Sequence, residues 1–215
     1  MWRAGPFTLP RLLLCEGPDD ESFFEKLIER RNIQRFHISD TSTAEAPNGG
    51  NSGFRRGLIA ARLNGNYASV TKILVVSDND ADPAASFRNV CDQIEAAGFP
   101  RPPAPLTPTP GRPSITVMMI PLDDDERGNL ETICVPAARS TDAAVAGNVD
   151  HFAALMRSNR WVPERVGKFW LRSFLAAKCR RDPFVFLGKV FRDHPDLIPL
   201  DHASLTPIAD VLSAL

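Results

Sequence analysis

The stretch KILVVSDNDADP, residues 72–83, decides the fold of this chain. Its apolar run is rich in β-branched residues and too short for a free-standing helix, so it predicts a buried parallel strand. Asp82 and Pro83 suit the N-cap and the first position of a following helix. Asp78 and Asp80 therefore lie at the carboxyl end of a strand, where open α/β sheets bind ligands. On an extended backbone these two carboxylates point the same way, and their repulsion favours binding of a divalent cation.

Length and composition are those of an ordinary globular protein. The 215 residues are 43% hydrophobic and 24% charged, which suits one good core, or one core with a small appendage. This composition disfavours disordered and membrane classes, and no apolar run approaches the roughly 20 residues of a spanning helix. Residues 1–6 lack the apolar segment of a signal peptide. We therefore expect a cytoplasmic protein that does not contact a membrane.

Cysteine usage and net charge exclude few classes of protein, but they indicate what to expect of the thiols and of nucleic-acid binding. The 4 cysteines are scattered singly, without metal-ligand spacing, and are expected to be reduced core residues. The formal net charge of −1 gives no global signal for nucleic acid, which normally shows as a basic domain or face. This balance weighs against a DNA role, although it leaves one open.

Two further predicted strands repeat the pattern of an apolar run that ends in acids. Residues 11–15 predict the first strand, which Glu16 and Gly17 follow, and residues 115–120 predict the fourth, which the acidic run 123–126 follows. A short second strand is predicted at 36–38. Helices are predicted from Asp19–Asp20 to Arg30–Arg31, at 58–63, from 83 to 98, after Gly128, and at 143–157, 165–179 and 205–215. The sequence thus predicts an α/β fold with a mostly parallel sheet of about four strands, flanked by helices.

The character of the chain changes near residue 139. We expect an α/β core over 7–138, which includes a proline-rich loop at 99–113, and a helical extension over 139–215 that packs on the core in one compact unit. Aromatic residues in the extension need a partner, and the sheet is the simplest one. Residues 40–53, which include the glycine-rich segment 48–53, are expected to form a flexible loop at the acidic edge of the sheet.

The acidic pattern resembles the Toprim domain, the topoisomerase/primase-type catalytic fold. The residues that carry the resemblance are Glu16-Gly17 with Asp20, Asp78-Asn79-Asp80, and Gly128 with Glu131. More narrowly, Leu14–Asp20, Gly49-Gly50 and Gly128–Glu131 resemble the DUF3226 group and the related Toprim half of OLD-family nucleases. The resemblance covers roughly residues 12–135.

What the resemblance implies is an acidic site for Mg²⁺ or Mn²⁺. Glu16, Asp78 and Asp80 would hold the metal, with Asp20 and Glu131 bound to it or beside it, and phosphoryl chemistry would follow. Glu16 could instead act as a general acid or base. Each acid also has a structural interpretation as a helix cap, a turn residue or a first-turn acid.

Three basic residues are further candidates. Lys178 could supply a catalytic lysine or a phosphate contact, as a downstream lysine does in OLD-type nucleases, although a solvated helix end is the stronger expectation for it. Arg55 and Arg56 follow the glycine-rich loop and could hold a phosphate backbone of DNA or RNA.

The resulting hypothesis is a metal-dependent phosphotransfer enzyme, a nuclease acting on DNA or RNA. A non-catalytic Toprim-like module that binds metal, nucleotide or a partner protein is the alternative. A haloacid-dehalogenase-like phosphatase ranks last, because that family places D-x-D after its first strand. The chain lacks an ATPase portion, so an OLD-like activity would need a separate ATPase as partner, and its one tyrosine, Tyr67, is poorly placed for a topoisomerase. The oligomeric state is left open.

Overall fold

Four parallel strands form the centre of the fold. The structure is a computed structural model that describes residues 6–43, 49–50, 52–123 and 126–215. The strands are β1 (Arg11–Cys15), β2 (His37–Asp40), β3 (Lys72–Asp78) and β4 (Ser114–Ile120), in the order β2-β1-β3-β4. Every neighbouring pair is parallel. The predicted α/β fold with a parallel sheet is therefore confirmed.

Helices flank this sheet. In chain order they are α1 (Pro18–Arg30), α2 (Phe54–Arg62), α3 (Pro83–Ala96), α4 (Leu130–Thr141), α5 (Ala143–Leu155), α6 (Pro163–Lys178), α7 (Leu187–Asp193) and α8 (Thr206–Ala214). α2 begins at Phe54, earlier than predicted, because Phe54 is fully buried and anchors the first turn. α7 was not predicted. Its Gly188 weakens the helical pattern, and its start is held by the contact of the Gly188 N–H with Asp19 Oδ1 at 2.6 Å.

Side chains alternate between the two faces of the sheet. Leu12 and Leu14 belong to a core cluster with residues of α2 and α3, whereas Leu13 and Cys15 belong to a second cluster on the other face. Successive residues of a strand point to opposite faces, so a strand that is buried on both faces must be apolar throughout. This explains why the apolar run of β1 is continuous rather than alternating.

The helices after residue 139 share the second cluster with the sheet. Trp170 and Phe174 of α6 and Phe191 of α7 are buried together with Leu13 of β1. The rings of Trp170 and Phe174 stack with centroids 5.4 Å apart. Packing of this aromatic layer fixes α6 and α7 above the same face of the sheet that α1 and α4 cover.

The proline-rich stretch covers the outer edge of β4. The Leu106 N–H donates to the Val117 carbonyl at 2.8 Å, and the Thr109 N–H donates to the Ile115 carbonyl at 2.9 Å. An uncovered edge strand exposes unpaired backbone groups that can pair with another chain. The loop therefore satisfies part of the β4 edge.

All four cysteines are free thiols, and three of them, Cys15, Cys91 and Cys134, are buried. None of the helices in the described ranges is both long enough and apolar enough to cross a membrane.

Candidate acidic site at the carboxyl edge of the sheet

The ends of β1 and β3 bring two acids together. Glu16 directly follows β1, and Asp78 is the last residue of the neighbouring strand β3. Glu16 Oε1 accepts hydrogen bonds from the Ser77 hydroxyl and from the Asp78 backbone N–H, the latter at 2.9 Å. The Glu16 carboxylate at the end of β1 is thus held in place by the backbone at the end of β3.

Two helix starts add two more acids to this edge. At the start of α1, Asp20 Oδ2 accepts the Gly17 N–H at 2.9 Å. At the start of α4, the Leu130 N–H donates to Asp78 Oδ1 at 3.2 Å, which joins the helix to the end of β3. Glu131, the next residue of α4, is only 8% exposed. The sequence therefore folds so that acids from two strand ends and two helix starts meet.

These acids line one wall of an open cavity of about 710 Å³. Its lining includes the four acids named above. It also includes a set of cations from α6 and α7, which we call the basic wall: Lys168, Arg172, Lys189 and Arg192. A volume of this size matches pockets that hold small ligands or nucleotides. Its mixed charge suits a ligand that carries both metal ions and phosphates.

The acids perturb one another strongly. Burial, followed by the nearby charge of Glu16, raises the pKa of Asp20 to about 8. Burial, followed by the charge of Asp20, raises the pKa of Asp78 well above its usual range. Burial also raises the pKa of Glu16 and of Glu131. Clusters of carboxylates with raised pKa values occur at functional sites more often than elsewhere, because a structural role rarely requires them.

Lys168 partly offsets this negative charge. Its ammonium group lowers the pKa values of Glu16, Asp78 and Glu131 against the larger effect of burial. Among the described residues Lys168 makes no ion pair of its own, and its side chain is exposed at the cavity. It is therefore a cation that faces the acids and remains available to a ligand.

A close helix contact sets the position of Lys168. A Cβ atom at Gly167 would lie 2.6 Å from Thr132 Oγ1 and 3.2 Å from the Thr132 backbone, so α6 approaches the first turn of α4 more closely than another residue would allow. The Asn129 side-chain amide donates to the Glu164 carbonyl at 3.1 Å and adds to this junction. Glu131 and Lys168 are brought to the same cavity by this packing.

Two further residues of the basic wall are tied to α1. Arg172 donates to the Val185 carbonyl at 3.0 Å and forms a 3.4 Å ion pair with Asp19. Arg192 donates to the Ser22 hydroxyl at 2.7 Å. Arg172 and Arg192 are therefore held at the cavity by hydrogen bonds rather than left free in solvent.

Asp80 departs from the expected geometry. The extended backbone stops at Asp78, and Asp80 has φ +51°, in the left-handed region, so the two side chains do not continue one strand pattern. In the described part of the chain the cavity lining includes Asp78 but not Asp80. Asp80 still influences the site, because its charge contributes to the raised pKa of Glu16.

Asn79, between the two acids, has a structural role that the sequence did not suggest. It is 1% exposed, and its amide donates to the carbonyls of Pro121 and Glu126, each at 2.7 Å. The Asn79 side chain therefore ties the end of β3 to the loop after β4. Asp123 and Glu126 contribute backbone carbonyls there, whereas Asp124 and Asp125 lie outside the described residues.

The glycine-rich loop contacts Glu16 through its backbone. The Gly50 N–H donates to the Glu16 carbonyl at 2.9 Å. A Cβ atom at Gly49, which has φ +68°, would lie 1.9 Å from that same carbonyl oxygen. Gly49 is therefore needed for this approach, while Asn48 and Asn51 of the predicted loop lie outside the described residues.

The three basic candidates from the sequence lie elsewhere. Lys178 forms a 2.8 Å ion pair with Asp142 at the start of α5 and is not among the described residues that line the cavity. Arg56 donates to the Thr41 carbonyl at 3.2 Å, and the Arg55 backbone N–H contacts Gln93 at 3.3 Å. The structure thus brings Glu16, Asp20, Asp78 and Glu131 together, but it does not bring Lys178, Arg55 or Arg56 to them.

The basic wall was not among the residues that sequence patterns indicated. Lys168 and Arg172 are four residues apart on α6, a spacing that places two side chains on one face of a helix and could have indicated a pair. Lys178 lies ten residues beyond Lys168, a rotation of about 280° around the helix, so it points elsewhere. The contribution of Lys189 and Arg192 depends on α7, which no sequence signal predicted.

The donor set suits Mg²⁺ or Mn²⁺ in its chemistry, because hard divalent cations prefer carboxylate oxygens and retain some water. Among the described residues, however, no group of three or more His, Cys, Asp or Glu side chains is arranged so that it could hold a metal ion. Both hydrogen bonds to the Glu16 carboxylate are accepted by Oε1. Binding would therefore require side-chain rotation that draws the carboxylates inward.

Comparison with known proteins identifies a family. No curated protein and no solved structure matches the chain. A family model described as "Protein of unknown function (DUF3226)" matches residues 10–187, which include strands β1 to β4, the acids Glu16, Asp20, Asp78 and Glu131, and Lys168. The chain therefore belongs to the DUF3226 family, as the motif around Glu16 and Asp20 had indicated.

Proposed function

We propose that this protein is a Mg²⁺- or Mn²⁺-dependent phosphotransfer enzyme, a nuclease that acts on DNA or RNA. The observation that carries the proposal is one cavity that Glu16, Asp78, Glu131 and Lys168 all line, with a volume of about 710 Å³ that is large enough for a phosphodiester. Acids alone would repel a phosphate, and cations alone would not hold a metal ion. Both walls together suit a metal-bound phosphate.

The order of the acids along the chain supports a Toprim-like assignment of the site. A glutamate follows the first strand, and an acidic pair begins at the end of a later, neighbouring strand. Glu16 and Asp78 would hold the metal, with Asp20 and Glu131 close to it. Bound there, the ion would polarise a phosphoryl oxygen and make water a better nucleophile.

The chain's own residues would supply positioning and proton transfer. Lys168 and Arg172 would contact the non-bridging phosphate oxygens, because fixed cations stabilise the charge that develops there. Burial raises the pKa of Glu16, and a raised pKa suits a carboxylate that takes up and releases a proton during catalysis. Ser77 and the Asp78 backbone would keep that carboxylate oriented.

Two measurements test this proposal on the full chain. Calorimetric titration with Mn²⁺ and Mg²⁺ should show binding by the wild type that is lost in Asp78→Asn. Metal-dependent nicking of plasmid DNA, or cleavage of RNA, should disappear in the same variant and in Glu16→Gln. Thr141→Ala, at the far end of α4, is a control that should retain both activities.

The result that would overturn the nuclease assignment is unchanged cleavage in both acid variants. A second candidate, a non-catalytic module that binds metal or nucleotide, is favoured by the size and mixed charge of the cavity alone, which suit a bound nucleotide without turnover. Tight binding without cleavage, with and without an added ATPase partner, would support that candidate.

A further inference from the structure

An aromatic pair stands exposed beside the basic wall. Phe184 is 89% exposed and Phe186 is 74% exposed, while Val185 between them is 2% exposed. A single exposed phenylalanine is common on a protein surface. Two exposed phenylalanines on either side of a buried valine present a large apolar surface to water. Such a surface usually has a ligand.

The aromatic pair is held by the same residue that belongs to the basic wall. The Arg172 guanidinium donates to the Val185 carbonyl at 3.0 Å, and Val185 packs into the core cluster beneath. Phe186 directly precedes α7 and itself lines the cavity. Phe186 is therefore displayed from a fixed backbone at the acidic site, and Phe184 lies two residues before it along the chain.

Positive charge surrounds this pair. Arg180 and Arg181 precede it and are exposed, and Lys189 and Arg192 follow it at the cavity. Asp182 offsets part of this charge through a 3.3 Å contact with Lys189. Exposed aromatic rings next to cations are the combination that binds single-stranded nucleic acid, because bases stack on rings and phosphates meet cations. A duplex keeps its bases stacked internally and cannot use such rings.

We propose that Phe184 and Phe186 form a stacking platform for unpaired bases, so that the substrate of the acidic site is single-stranded nucleic acid. This inference rests on the proposed function, since it names the substrate of the same cavity. The backbone of the strand runs from the platform onto the basic wall and reaches the acids beyond it. The formal net charge of −1 is compatible with this, because the four cations of the basic wall line the same cavity.

Binding in a chelator tests the platform apart from catalysis. Fluorescence anisotropy of the full-length protein with labelled oligo(dT), oligo(U) and a DNA duplex of equal length should show at least tenfold tighter binding of a single strand. Preference for oligo(dT) would identify DNA as the source, and preference for oligo(U) would identify RNA. Affinity should fall as salt rises, because phosphate contacts release counterions.

Phe184→Ala and Phe186→Ala should each weaken single-strand binding by at least about fivefold, the lower range for one base stacked on an aromatic ring. Phe186→Leu keeps the apolar surface without the ring and should also weaken binding, while Phe186→Trp should restore it. Leu63→Ala, at a residue that is 81% exposed at the end of α2, is the control for loss of an exposed apolar side chain and should bind as the wild type does.

Equal affinity for the duplex, or wild-type binding by a variant with both phenylalanines changed to alanine, would overturn the platform. Binding of none of the three oligonucleotides would overturn it as well. Metal-dependent plasmid nicking without single-strand preference would leave the proposed nuclease standing and reject this inference. Single-strand binding that requires the rings, without cleavage in Mn²⁺, would support the stacking platform and reject the proposed nuclease.

Discussion

The carboxylate of Glu16 accepts the backbone N–H of Asp78 at 2.9 Å, so the acid that follows β1 is held by the acid that ends β3. The Ser77 hydroxyl donates to the same oxygen. Both donors lower the pKa of Glu16 against the larger effect of burial. The ionised form of Glu16, which a metal ion requires, therefore depends on a residue of the neighbouring strand.

Ser77→Ala should weaken Mn²⁺ binding by about tenfold at neutral pH. A hydrogen bond to a charged group contributes about 1.5–3 kcal/mol, and without it the pKa of Glu16 rises and protons compete with the metal. Calorimetry across a pH series should show the deficit shrinking as pH rises. Ser39→Ala changes another buried strand serine and should leave the affinity unaltered. Equal affinities for wild type and Ser77→Ala would contradict this role.

Lys168→Gln should lower the rate of metal-dependent cleavage by about 100-fold, the usual effect of removing one group that stabilises developing charge. Because Lys168 lowers the pKa values of Glu16, Asp78 and Glu131, its loss should also move the pH–rate profile toward higher pH. A merely structural role would not move that profile.

The matched control is Lys178→Gln on the same helix. Lys178 pairs with Asp142 away from the cavity, and a partly exposed ion pair contributes about 0.2–1 kcal/mol to stability. Cleavage should therefore stay within about twofold of the wild type. If Lys178→Gln abolished cleavage while Lys168→Gln did not, the assignment of the two lysines would have to be reversed.

The strands and the acids at their ends could be predicted because both depend on local sequence. The apolar run of β1 and the acid that follows it locate Glu16 within one residue, and the run of β3 does the same for Asp78. Parallel strands end at a common edge, which predicts that both acids lie there, and the pairing of β1 with β3 makes them neighbours. Capping preferences similarly predicted the start of α3 at Pro83.

The basic wall could not be predicted because it depends on contacts between distant residues. Lys168 reaches the acids only because Gly167 lets α6 approach Thr132 of α4. The backbone geometry of Asp80 could not be predicted for a different reason. Its left-handed backbone breaks the two-residue alternation that holds on an extended strand, and nothing in the D-x-D spacing reveals that turn.

The metal-free protein should lose stability as pH rises from about 4 to about 8. Burial and the charge of Glu16 raise the folded-state pKa of Asp20 to about 8, against a usual value of 3.8. Between these two values the folded state binds more protons than the unfolded state, so the free energy of unfolding falls with rising pH. Above the folded-state pKa the effect of Asp20 is complete.

Asp20→Asn should remove this part of the pH dependence, since asparagine can still accept the Gly17 N–H but does not ionise. Melting temperatures in a chelator should therefore show the variant gaining on the wild type as pH approaches 8. Asp210→Asn, on the exposed side of α8, controls for the loss of one negative charge. A constant difference between Asp20→Asn and the wild type across this range would refute the assignment.

Gly167→Ala should damage both stability and activity, because a methyl group there would meet Thr132 Oγ1 at 2.6 Å and the Thr132 backbone at 3.2 Å. The backbone of α4 cannot yield without moving Glu131, so α6 must shift and carry Lys168 away from the acids. We expect a loss of about 1–3 kcal/mol in urea unfolding, typical of overpacking, together with a lower cleavage rate.

Gly147→Ala provides the opposite expectation within the same set of helices. Gly147 lies in the interior of α5, and a Cβ atom there would meet nothing within 4 Å. Alanine is favoured over glycine inside helices, so this variant should be more stable by about 0.5–1 kcal/mol, with unchanged cleavage. If Gly167→Ala were stabilising as well, the close approach of α6 to α4 would not be what positions Lys168.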